Sequence, residues 1–152
     1  MPETPPDAKV VTLLLVEDDD VDAMGVERAL KKRRIANPLI RARDGIEALE
    51  FLRGDKVERP FLILLDLNMP RMGGLEFIRT LRADPDLSDA VVFVLTTSKS
   101  DEDMAAAYRA HVAGYIVKSE IGNCFNDLVE LLDAYWQVVE LPARLAGVQR
   151  RV

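Results

Sequence analysis

The sequence predicts a doubly wound α/β fold, a five-stranded parallel sheet with helices on both faces. Three observations carry that expectation. Short apolar runs recur along the chain, amphipathic segments separate them, and turn residues such as Asp44-Gly45 and Gly73-Gly74 stand between the two kinds. Strands that are apolar throughout, rather than alternating, belong to a sheet covered on both sides, which is the parallel kind.

The first strand is read at Val11 to Glu17, and an amphipathic helix at about 20 to 33 follows it. Leu39 to Arg43 form the second strand, and Asp44-Gly45 opens a helix at 45 to 54. The third strand, Phe61 to Asp66, is FLILLD; the helix after it, 74 to 83, starts beyond two glycines and stops at Asp84-Pro85. Val91 to Thr96, a helix at 101 to 112, the short strand Tyr115 to Val117 and a last helix at about 121 to 140 complete the set. For five strands the flavodoxin-like order 2-1-3-4-5 is expected.

The chain has 152 residues, enough for one domain with a substantial core. Its 26 acidic and 20 basic residues give a net charge of -6, which argues against a nucleic-acid or anionic-membrane partner. A single cysteine, Cys124, rules out an intramolecular disulfide, and no apolar run reaches the roughly 20 residues that span a bilayer. A cytoplasmic setting is expected. Residues 1–9, with three prolines and no apolar stretch, read as a flexible leader, 10–140 as the domain, and 141–152 as a C-terminal tail with no output domain beyond it.

In a doubly wound sheet the working site lies outside the carboxyl ends of the strands. That rule collects Glu17, Asp18 and Asp19 from the first strand, Asp66 from the third, Thr96, Thr97 and Ser98 from the fourth and Lys118 from the fifth. Carboxylates converging at one edge repel unless protonated or bridged, and a hard divalent cation, best Mg²⁺, is the simplest bridge. VEDDD read alone is equally a helix N-cap, with Asp19 or Asp20 as the cap. Lys118 beside the acids can form a plain salt bridge, or it can join the cation in neutralising a phosphoryl group on Asp66, with the Thr96 hydroxyl donating to it. The second reading makes Asp66 a carboxylate nucleophile for phosphoryl transfer.

LLLVEDD, LLDLNMPRMGGLE, FVLTTS and GYIVKS, in this order and spacing over roughly residues 10 to 140, resemble the receiver domains of two-component response regulators. The resemblance implies a CheY-like fold and a signalling protein, not an enzyme acting on a separate substrate. It implies that Asp66 is the phosphoacceptor, charged from a histidine of a sensor kinase. Asp18 looks like a direct Mg²⁺ ligand, Glu17 like one acting through water, and Asn68 like the residue whose backbone carbonyl faces the metal. Thr96 and Lys118 look like the contacts to the phosphoryl group, and Tyr115 like the switch aromatic. Asn68 and Ser98 stand at the two variable positions that tune dephosphorylation in the family. Two departures stand out: Glu17 replaces the commoner aspartate, and Ser119 replaces the usual proline after Lys118, so a trans peptide is expected there.

In the last helix Phe125, Leu128, Val129, Leu132, Trp136 and Val139 share one face, while Leu131, Ala134, Tyr135 and Val138 widen the apolar arc to about 220°. The second group fits either a cover from the C-terminal tail or a homodimer through the fourth and fifth helices and fifth strand, with Leu131, Tyr135 and Val138 at its centre. The ending WQVVELP, with LTTSKSDED and YIVKS, is similar to receivers that partner phytochrome-type histidine kinases, which makes a bacteriophytochrome the expected kinase. The run Lys31 to Arg34 suits a helix C-terminus, His111 reads as a surface residue, and Met69 and Met72 as packing around the loop after Asp66. Arg144, Arg150 and Arg151 of the tail are expected to be solvated. Three rival readings fit the residues less well. A haloacid-dehalogenase phosphatase needs an aspartate at position 68; a flavodoxin needs a hydroxyl-rich phosphate loop where VEDDD stands; a phosphorylation-independent binding module has no need of the complete residue set.

Overall fold

The computed structural model describes residues 10–121 and 125–142. The leader, Cys124 and the tail arginines lie outside the described residues. The elements run β1 (Thr12–Val16), α1 (Asp20–Lys32), β2 (Leu39–Ala42), α2 (Gly45–Arg53), β3 (Phe61–Leu65), α3 (Gly74–Ala83), β4 (Val91–Thr96), α4 (Asp101–Arg109), β5 (Gly114–Val117), a 3₁₀ turn at Lys118–Glu120 and α5 (Asn126–Val138). All five strands pair in parallel, in the order β2-β1-β3-β4-β5.

The apolar runs explain that order. Every residue of β1 and β3 is buried, as inner strands of a doubly covered sheet require, whereas the outer strands β2 and β5 are mostly half-buried. Alternate side chains serve opposite layers. Leu13, Leu15, Leu62, Leu64 and Leu95 meet α1 and α5 through Val26, Leu30, Leu128, Leu132 and Trp136. Leu14, Val16, Ile63, Leu65 and Val94 meet the helices of the other face through Ala48, Leu49, Phe77, Leu81 and Ala107. Trp136 is fully buried, so its truncation to alanine is expected to cost about 3–5 kcal/mol.

Caps fix where the helices begin. Asp19, not Asp20, caps α1, its carboxylate accepting the N–H groups of Val21 and Asp22. Asp44 caps α2 through the Glu47 N–H, and Ser100 caps α4 through the Asp103 N–H. The fourth helix ends three residues before the expected 112, and His111 beyond it is exposed with φ 64°. In α5 the buried face is Leu128, Val129, Leu132 and Trp136. Phe125 and Val139, expected on that face, instead flank the helix: Phe125 is a left-handed N-cap, and Val139 the half-buried C-cap. The ring of Phe125 lies over Gly25 of α1, where a Cβ would come within 2.6 Å of it. Among the described residues no helix is long and apolar enough to cross a membrane.

Candidate functional site

Strand hydrogen bonding continues one residue past β1 and β3, and this sets the site. The Asp66 N–H donates to the Val16 carbonyl at 3.0 Å and the Glu17 N–H to the Ala42 carbonyl at 2.9 Å. Two carboxylates are thereby fixed at the rim of a rigid sheet. Behind Asp66, Gly74 starts α3 so close to the chain that a Cβ would lie 2.6 Å from Leu67 Cα and 2.8 Å from the Asp66 carbonyl oxygen. Only glycine lets the helix start there.

Glu17, Asp18 and Asp66 bring one carboxylate oxygen each to within 4.8 Å of the others. Lys118, at the end of β5, points its ammonium into the same place. Its Nζ donates to Glu17 Oε1 at 2.7 Å, to Asp22 Oδ2 at 2.7 Å and, more weakly, to Asp66 Oδ2 at 3.4 Å. The side chains of Glu17, Asp66 and Lys118 are nearly buried, whereas Asp22 is about a quarter exposed and Asp18 is open to solvent.

The electrostatics follow from one cation serving three acids. Burial pushes the Glu17 carboxyl up to about 8, with Asp66 adding to the rise, and the hydrogen bond from Lys118 only partly offsets it. Burial alone would lower Lys118, but its bonds to Asp22 and Glu17 prevail and raise it. The cluster is short of positive charge. Three convergent carboxylate oxygens at a partly open rim fit a divalent cation with oxygen ligands.

The remaining side chains shape the far wall. Thr96 is fully buried, and its Oγ1 accepts from the Ser98 N–H at 3.3 Å and from Asn68 Nδ2 at 3.4 Å. The Asn68 N–H donates to Asp66 Oδ1 at 3.1 Å, so the loop after Asp66 folds back on the carboxylate it follows. Ser98 Oγ donates to Asp103 at 2.7 Å, and the hydroxyl of half-buried Tyr115 donates to the Ser98 carbonyl at 3.0 Å, which ties β5 to the loop after β4. The only cis peptide among the described residues precedes Pro60, so Lys118-Ser119 is trans and leads directly into the 3₁₀ turn.

All the residues expected from the strand ends therefore meet at one edge. Asp22 was missed, because it sits in the first turn of α1 and only its side chain reaches back to Lys118, 96 positions on. The second stripe of α5 is divided. Leu131 and Val138 are 48% and 81% exposed, but Tyr135 is half-buried, its ring edge-on to Phe93 at 5.0 Å, so it belongs partly to the chain's own core. Met69 and Met72 pack against the core as expected, and of the basic run Arg33 pairs loosely with Glu130 at 3.9 Å.

A parallel 2-1-3-4-5 sheet whose carboxyl edge gathers acids, a lysine and a buried hydroxyl defines a receiver-type signalling domain. The chain belongs to the response regulator receiver domain family, whose model matches residues 13–130. It is 39% identical over 136 residues to the response regulator Rcp1 of Synechocystis sp., covering 86% of this chain and 92% of that protein. The crystal structure of Mn²⁺-bound Rcp1 superposes with a TM-score of 0.77 at 38% identity, over 88% of this chain and 99% of that one. The phosphorylated cyanobacterial phytochrome response regulator RcpA gives a TM-score of 0.77 at 31% identity, over 89% of this chain and all of that one.

Proposed function

We propose that this chain is a phosphoacceptor: Asp66 takes a phosphoryl group from the phosphohistidine of a sensor histidine kinase, and protein partners read the change. The observation that carries this is the convergence of Asp66 with Glu17, Asp18 and Lys118, beside the buried Thr96 hydroxyl. An Asp66 carboxylate oxygen attacks phosphorus, the new P–O bond forms as the P–N bond breaks, and the leaving imidazole nitrogen keeps the electron pair and is reprotonated. Glu17, Asp18, Asp66 and the Asn68 backbone carbonyl would hold Mg²⁺, and the ion would supply positive charge against the transferring group. Lys118 balances a further phosphoryl oxygen, and the Thr96 hydroxyl turns from its Asn68 contact to donate to another. Tyr115 then follows, because its hydroxyl is held by the Ser98 carbonyl, two residues along the same loop.

Incubation with a small phosphodonor and Mg²⁺ tests the reading. Acid-labile phosphate is expected on the wild type and none on Asp66→Asn; a wild type without it overturns the proposal.

The kinase we propose is of the bacteriophytochrome type. Support comes from the likeness to RcpA and from a TM-score of 0.67 at 31% identity to the bacteriophytochrome response regulator AtBRR. Phosphotransfer from a purified bacteriophytochrome, compared with a kinase of another sensory class, tests it. We also propose a homodimer through α4, β5 and α5, supported by the exposure of Leu131 and Val138. Val138→Asp probes it without disturbing the Tyr135–Phe93 contact. A halved sedimenting mass is expected, and unchanged monomer-like masses for wild type and variant would dispose of the dimer.

A further inference from the structure

We infer that Asp22 is the resting counter-ion of Lys118 and holds its ammonium off Asp66 until a phosphoryl group competes for it. The inference rests on the phosphoacceptor reading and adds a positioning residue to it. An ammonium has three N–H donors. Here two of them make 2.7 Å bonds, to Glu17 and Asp22, and the third reaches Asp66 at only 3.4 Å, at the weak limit of a hydrogen bond.

The two short bonds differ in what a bound cation does to them. Glu17 belongs to the carboxylate triplet that converges with Asp18 and Asp66, so a divalent ion draws on it; Asp22 does not belong to that triplet. Asp22 is therefore the partner that stays with Lys118 when metal is bound. It approaches from the solvent side, with 27% of its side chain exposed against 8% for Asp66, so it pulls the ammonium outward. Its own place is fixed, because the Asp22 N–H is held by the Asp19 carboxylate at the start of α1. A phosphoryl group on Asp66, with more charge and three acceptor oxygens, has only this one carboxylate to outbid.

Asp22→Asn removes the competitor, and Glu27→Gln is the control. The control deletes the same charge five residues along α1, at an exposed position, and is not among the partners of Lys118. At saturating Mg²⁺, Asp22→Asn is expected to take up phosphate from a small phosphodonor about fivefold faster than wild type, the scale of a partly exposed ion pair, while Glu27→Gln stays near wild type. In the unphosphorylated protein the freed ammonium leans on Glu17 and Asp66, so calorimetric titration with Mg²⁺ alone is expected to show affinity about fivefold weaker for Asp22→Asn. Asp22→Glu, which restores the partner, should return both values toward wild type. A merely structural tie between α1 and β5 would not speed phosphorylation. Equal uptake rates and equal Mg²⁺ affinities for Asp22→Asn and Glu27→Gln overturn the inference. A wild type that takes up no phosphate overturns the phosphoacceptor reading instead, and the Mg²⁺ comparison then decides for or against Asp22 by itself.

Discussion

Glu17 and Asp44 are both acids at the carboxyl end of neighbouring strands, both almost wholly buried, and they are treated in opposite ways. Asp44 is satisfied. It accepts the Glu47 N–H at 2.9 Å and pairs at 2.6 Å with Arg71, and although burial pushes its carboxyl up, these partners hold it below the usual carboxylate value. Glu17 shares one ammonium with Asp22 and Asp66, and burial wins, raising it. Burial is common to both, so the difference lies in the supply of positive charge. An acid with its own arginine is part of the scaffold; acids that must share a lysine form a place where added charge changes the balance.

The largest effect is expected where one substitution disturbs the backbone that carries Asp66. Gly74→Ala places a methyl against Leu67 Cα and the Asp66 carbonyl, neither of which is a flexible side chain, and should cost about 3 kcal/mol in urea unfolding and abolish phosphate uptake. Wild-type stability would show that the loop gives way more easily than this close approach implies. Next in size is the response to metal. At a hundredfold excess over Kd, Mg²⁺ should stabilise the wild type by about 2.7 kcal/mol, and Asp44→Ala should retain that gain in full because Asp44 takes no part in the triplet. A gain lost in Asp44→Ala would merge the two regions into one.

Without divalent ions, removing charge should have opposite signs at the two places. Asp44→Ala loses a cap and an ion pair and should be less stable by about 1 kcal/mol. Asp66→Asn relieves carboxylate crowding and should be more stable by about 1 kcal/mol, the usual trade at a functional site. Chemical denaturation in chelator reads both, and two changes of the same sign would break the contrast.

The strands, their order and the edge where Asp66, Thr96 and Lys118 meet were legible because each rests on one short apolar run and the residue ending it. Asp22 was not legible by that rule. It is a helix residue, and its partner lies at the end of a distant strand, so only the assembled fold, with α1 packed against α5 and the end of β5 at the same edge, brings the two together. The Tyr135–Phe93 contact was not legible for a related reason: angular position on α5 placed the tyrosine beside the buried face, but which ring it meets is a matter of packing, not of period. Ser119 needed no compensation, since the trans peptide continues into the 3₁₀ turn without a proline. The described part of α5 starts at Asn126 because Phe125 before it is left-handed, with φ 58°, which a helix residue cannot be.

The smallest effect expected is a pH dependence that separates the two acids by sign. A carboxyl held below its ordinary value contributes stability that is full above that value and is lost as pH falls through the folded one. For Asp44, whose ordinary value is 3.8, the stability gap between wild type and Asp44→Ala should be flat at neutral and mildly acidic pH and narrow only below about pH 4. Glu17 works the other way: its folded value stands at about 8 against an ordinary 4.5, so in metal-free protein its term favours folding below 4.5 and is lost as pH rises toward 8. Urea unfolding of wild type and Asp44→Ala across this acid range reads the Asp44 contribution directly. A gap that persists unchanged at the acid end would mean that Asp44 stabilises α2 through its neutral hydrogen bond alone, and that Arg71 adds nothing to the contrast with Glu17.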